Sequence, residues 1–130
     1  MRKILFSTLI LSLTFNFIGC NLQFTKKYND GTYIGESIQD NSIEKAIVTI
    51  KDDKIVDIYL IKLDENGKEI DYKDWNSSPN LNNDRINIID SIIEQQNTNI
   101  DIDSTFPDVV TNWKLSIDDA LEKAKNKGTT

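Results

Sequence analysis

Histidine is absent from the 130 residues. That removes Ser-His and Cys-His nucleophile pairs, a histidine general base and His-ligated zinc or haem. A single cysteine excludes an intramolecular disulfide and any cysteine-rich metal site. Basic residues are outnumbered, 15 Lys and Arg against 21 Asp and Glu, for a formal charge of −6. Nucleic acid, with its phosphates, is therefore excluded as a partner, and anionic lipid would not attract the chain by charge alone. The five glycines are scattered and form no phosphate-cradling loop, and no EF-hand spacing is present. Catalytic residues are not evident, so an enzyme is not expected. The length suits one domain, not two.

What is present begins with an address. Met1-Arg2-Lys3 is a short basic head, and Ile4 to Ile18 is an apolar run of 15 residues broken by Ser, Thr and Asn16. A membrane span needs ~20 such residues, so the run reads as the apolar core of a secretory signal. The only thiol stands directly after it. Phe17-Ile18-Gly19-Cys20 resembles the bacterial lipoprotein signal, in which the chain is cut before the cysteine and its thiol is lipidated. That resemblance implies a signal peptide over 1–19, lipidation at Cys20 and attachment to the extracytoplasmic face of the cell membrane. Acyl chains contribute ~0.8 kcal/mol per buried CH₂, so anchoring needs no basic patch. The remaining 111 residues carry 13 basic and 21 acidic side chains, a formal charge of −8. Residues 20–29 read as the lipidated cysteine and a polar tether, and residues 30–126 as the domain.

Asp30-Gly31 is a turn signal, and Thr32 to Ile38 reads as a strand. Gly35 within it marks a bulge or a close approach of another group. Ala46–Lys51 and Ile55–Leu63 flank Asp52-Asp53-Lys54 as an antiparallel hairpin. Val56, Ile58 and Leu60 fall on one face of its second strand, and Ile55, Asp57, Tyr59 and Ile61 on the other. Both faces are partly apolar, which predicts a hairpin central in its sheet. Residues 68–83, containing Trp75 and Pro79, read as irregular. The helical period returns over 84–96, with Ile86, Ile89, Ile92 and Ile93 on one stripe and Asn83 or Asp84 as cap. The last helix starts near Pro107 and runs to about Asn126, with Val110, Trp113, Ile117, Ala120, Leu121 and Ala124 as its apolar stripe. Strands first and helices last predict an α+β domain: a small antiparallel sheet with a central hairpin packed against two helices.

The carboxylate pairs Asp101/Asp103 and Asp118-Asp119 read as solvated acidic surface, with calcium or acid-base chemistry as the alternative. Trp113 reads as core. Trp75 is either core or a stacking platform for a planar ligand.

The order of pieces resembles the small FMN-binding domain family, which includes a flavin-carrying subunit of sodium-pumping NADH:quinone oxidoreductase and lipoproteins called major membrane immunogens. Tyr28-Asn29-Asp30-Gly31-Thr32-Tyr33-Ile34-Gly35-Glu36-Ser37 is similar to its DGTYxGxS opening. Ala46 to Ile61 is similar to its hairpin, Asp64-Glu65-Asn66-Gly67-Lys68 to the immunogens' next turn, and helix 84–96 with Glu94-Gln95-Gln96-Asn97 to theirs. The family's Asp-x-x-Ser/Thr-Gly-Ala-Thr stretch, whose Thr can carry FMN through a phosphodiester, aligns with Asp101 to Pro107. Asp101 and Ser104 match; Thr105, Phe106 and Pro107 replace Gly, Ala and Thr. Pro107 has no hydroxyl, so covalent FMN is not expected. The resemblance implies an extracytoplasmic flavin carrier holding FMN noncovalently at Asp101, Ser104 and Thr105, with an envelope redox or membrane protein as partner. The alternative is a flavin-free relative acting as an envelope binding or interaction module.

Overall fold

The computed structural model describes residues 26–39, 42–70 and 79–128. Three strands, β1 (Gly31–Gln39), β2 (Ser42–Lys51) and β3 (Lys54–Leu63), precede two helices, α1 (Pro79–Gln95) and α2 (Pro107–Ala124). The strands form an antiparallel sheet in the order β1-β2-β3, with both helices packed on it. This is the α+β class expected of strands followed by helices. Of the hairpin's two strands, β2 lies in the middle and β3 at an edge of the described sheet.

The hairpin closes through two residues, Asp52 and Asp53, with φ of 52° and 62°. Aspartate tolerates this left-handed backbone, and consecutive positive φ values give a turn whose twist matches that of the strands. One step beyond, the register slips: Ile50 pairs with Ile55, but Thr49 pairs with Asp57. Val56 is the extra residue of a β-bulge, and the bulge breaks strict alternation. Ile55, Ile58 and Leu60 are therefore buried while Val56 is 46% exposed, which corrects the expected grouping of Val56 with Ile58 and Leu60. Gln96, left-handed at the end of α1 (φ 58°), secures the spot. The Ile55 N–H donates to Gln96 Oε1 at 2.8 Å, and Gln96 Nε2 donates to the Ile55 carbonyl at 2.9 Å.

Helix α1 starts at Pro79, five residues before the expected Asp84. Proline lacks the N–H that a first turn would leave unpaired anyway. The asparagine-rich start has low helix propensity, but half-buried Leu81 extends the apolar face. That face centres on Asp84, Ile88 and Ile92, at four-residue spacing. Ile86 lies two residues from both Asp84 and Ile88, on the opposite side of the helix, and is 42% exposed rather than part of the stripe. In α2 the expected stripe is buried throughout, joined by Asn112 and Ser116.

Helix α2 lies tight against β1 at Gly35. A Cβ there would stand 1.9 Å from the Ser116 carbonyl oxygen and 2.4 Å from the Ala120 nitrogen. The same helix masks the open edge of β1: the Glu36 N–H donates to Asp119 Oδ2 at 3.0 Å, and Lys123 Nζ donates to the Ile34 carbonyl at 2.7 Å. Such masking protects an edge strand from pairing with other chains. On the inner face, Glu44 is fully buried and meets Lys62 Nζ at 2.9 Å.

Residues 28 and 29, expected in a polar tether, pack on the domain. Tyr28 is buried, its backbone bridges to Lys125, and the Asn29 N–H donates to the Ala124 carbonyl. The Tyr28 N–H donates to Asp53 Oδ1 at 2.7 Å, and the Asp52 N–H to Asp30 Oδ1 at 3.0 Å. Residues 27–30 are thus stitched to the hairpin turn and to the end of α2.

Two of these carboxyls are held below the ordinary carboxylate range. The Tyr28 N–H is the main cause at Asp53, and the Glu36 N–H at Asp119, where Lys123 adds to it. A folded-state value below the unfolded ~3.9 stabilises the fold above that pH, and this is lost as pH falls through the lowered value. The urea midpoint should therefore be level at neutral pH and fall below about pH 4. Asp53→Asn combined with Asp119→Asn should flatten that fall.

Candidate functional site

The residues predicted to hold a flavin lie in the segment between α1 and α2. Ile100 is buried and Ile102 half-buried, while Asp101 and Asp103 are exposed. This alternation hangs the segment on the core without adding a strand to the sheet. Ser104 is half-buried. It donates its hydroxyl proton to Asp84 Oδ2 on α1 and accepts the Phe106 N–H at 2.9 Å. Phe106 is the cap residue of α2, and its carbonyl accepts the Val110 N–H. Ser104 therefore ties the start of α2 to the second turn of α1. Asp84, expected as a helix cap, is instead a buried acceptor for that tie.

Asp101 and Thr105 are exposed, and among the described residues neither shares a hydrogen bond with Ser104. The structure thus gives Ser104 a bonded role in the fold.

A flavin phosphate needs donors: backbone N–H groups, hydroxyls or cations. This segment provides few. The Ser104 hydroxyl proton is committed to Asp84, and Pro107 has no N–H to offer. Asp108 already occupies the first turn of α2, where it neutralises the positive helix end. Asp101, Asp103 and Asp108 add negative charge, and residues 101–108 contain no basic side chain. Lys114 is engaged with the Ile100 carbonyl at 2.9 Å. The residues present do not fit FMN's phosphate.

The family-like opening has a different use here. Asp30 holds the hairpin turn, and Gly31 adopts φ 152°, a conformation that L side chains rarely take. The Tyr33 hydroxyl donates to the Asn29 carbonyl at 2.9 Å, and Gly35 admits α2. These residues build the fold.

A cleft of about 360 Å³ lies where the 27–28 segment meets α2 and the 97–98 loop. Its polar groups are largely paired with one another. Thr98 donates to Asp118, Glu122 pairs with Lys125, and Lys27 Nζ sits 5.2 Å from the Tyr28 ring centroid. The Glu122 hydrogen bond and charge raise the Lys125 pKa. Among the described residues no three Cys, Asp or Glu side chains could hold a metal together. Asp118 and Asp119 accept hydrogen bonds from Thr98 and Glu36, so the adjacent pair serves the fold. Trp113 is fully buried, as expected of core, while Trp75 and Cys20 lie outside the described residues.

The surface that sequence reasoning missed is the outer face of the sheet. Cross-strand rows on it read Ile34–Ile47–Tyr59, Glu36–Lys45–Ile61 and Ile38–Ile43–Leu63. Ile34, Ile38 and Tyr59 are 51%, 66% and 40% exposed. Among the described residues both helices pack on the other face. The signal is the apolar second face of the hairpin, which by itself points only to a central position in the sheet.

No family model, curated protein or solved structure matches this chain. None of the described helices is long and apolar enough to cross a membrane.

Proposed function

We propose that this protein is a lipid-anchored extracytoplasmic lipoprotein whose domain acts as a flavin-free binding module of the cell envelope. The reading has two parts. Attachment through Cys20 rests on the position of the only thiol, directly after the apolar leader. The flavin-free part rests on one observation: Ser104 donates to Asp84 within an acidic segment, where a flavin carrier would present donors to a phosphate. A module of this kind needs a surface rather than a reacting group, and the domain displays an apolar sheet face.

The competing reading, a noncovalent flavin carrier, draws on the family-like order of elements from residue 28 to 126. A spectrum separates the two. The mature chain, mixed with excess FMN and desalted, should retain no visible flavin absorption. Co-expression with a flavin transferase should leave no fluorescent band on a denaturing gel. Retained absorption without a fluorescent band would restore the noncovalent carrier. A fluorescent band would place an attachment hydroxyl elsewhere in the chain.

A further inference from the structure

We infer that the outer face of the sheet is a membrane-docking surface, and that its occupant is the bilayer carrying the protein's own lipid anchor. The inference rests on the anchoring at Cys20 proposed above. Three arguments select this occupant: charge, area and reach.

The mature chain has a formal charge of −8 from 13 basic and 21 acidic side chains. The three apolar rows of the outer face hold only two charged residues. These are Glu36 and Lys45, an ion pair at 3.1 Å whose charges cancel. These three rows are thus neutral in sum on an acidic domain, with Asp57 in the adjoining row and Glu69, which accepts the Tyr59 hydroxyl, at their border. An anionic membrane surface repels acidic side chains and does not repel these rows, which favours a sheet-down orientation.

The patch spans three strands about 4.8 Å apart and three rows about 6.8 Å apart, close to about 300 Å². A stable dimer needs about 800 Å² from each partner, so a second copy is poorly served by this face alone. A bilayer needs no such area when the domain is already tethered, because the second contact becomes intramolecular.

The tether reaches. Cys20 lies six residues before Lys26, the first described residue, and an extended chain spans at most ~3.6 Å per residue, about 22 Å in all. Lys26 lies beside Asp52, Asp53 and Lys54 at the hairpin tip, one end of the same sheet. The domain is therefore held close enough to lie flat.

The test uses the lipidated chain in vesicles of phosphatidylcholine and phosphatidylglycerol. Ile34→Cys, Ile38→Cys and Asp90→Cys each carry an environment-sensitive NBD fluorophore, the Cys20 thiol being consumed by acylation. All three positions are exposed, so folding is little disturbed. Probes at 34 and 38 should be blue-shifted and reduced by dithionite several-fold more slowly than the probe at 90. Equal reduction at all three positions, with the chain still floating with the vesicles, overturns the docking surface and leaves the anchor standing. Flotation that is the same for the parent chain and Cys20→Ser overturns the anchor, and the inference falls with it. Protection at 34 and 38 in native membranes but not in protein-free vesicles overturns the bilayer as occupant and assigns the face to a protein.

Discussion

Gly35→Ala is expected to destabilise the domain by about 3 kcal/mol or more, a large share of the ~5–15 kcal/mol of a typical fold. Its new Cβ would fall 1.9 Å from the Ser116 carbonyl oxygen and 2.4 Å from the Ala120 nitrogen. Those atoms belong to the backbone of α2, so no rotamer change relieves the clash. The helix must lift off β1. The lift would also loosen Asp119 and Lys123, which bond the backbone of β1 at Glu36 and Ile34. Urea denaturation followed by circular dichroism measures the loss. Gly67→Ala is the comparison: nothing lies within 4 Å of its Cβ, and its φ of 76° makes strain the only cost, about 1 kcal/mol. Equal losses in the two variants would show that helix and strand do not approach as closely as described.

Trp113→Ala should cost about 3–5 kcal/mol. Trp113 is the largest of the fully buried side chains and lies on the face of α2 that packs against the sheet. Its removal leaves a cavity that the packed core around it cannot fully collapse. Leu115→Ala on the same helix should change stability by less than about 0.5 kcal/mol, because Leu115 is 42% exposed. Matched thermal melts of the two variants check this. A small effect at Trp113 would show that the core between α2 and the sheet does not depend on it.

The two helices were not equally legible. In α2 the apolar period is unbroken from Val110 to Ala124, and every residue of the expected stripe is buried. In α1 the isoleucines at 86, 88, 89, 92 and 93 populate several sides, so the period alone could not decide which faced inward. The sheet decided it, burying Ile88 and Ile92 and leaving Ile86 outside. The hairpin was legible in its strands but not in its phase. Ile55 and Val56 exchange places because of one bulge, and a bulge is a pairing property that neither strand announces.

The candidate site shows the same division. Ser104 was singled out for its place in a family-like stretch, but its use depends on Asp84, 20 residues earlier. No local pattern pairs them; the packing of α1 against the start of α2 does. Asp30 and Asp53 behave similarly: each accepts a backbone N–H more than 20 residues away in sequence.

By itself the sequence determined the order of the elements and the α+β class. Absent histidine, a lone cysteine after an apolar run and an acidic balance are read directly from the chain. Strand and helix periods are local consequences of side-chain geometry. Tertiary structure alone decided which apolar face is covered. A strand can be apolar on both sides, and only the placement of the helices turns one side into core and leaves the other to solvent or a partner. Here both helices pack on the face of Ala46, Val48 and Leu60, because Gly35 lets α2 come close enough to bury it.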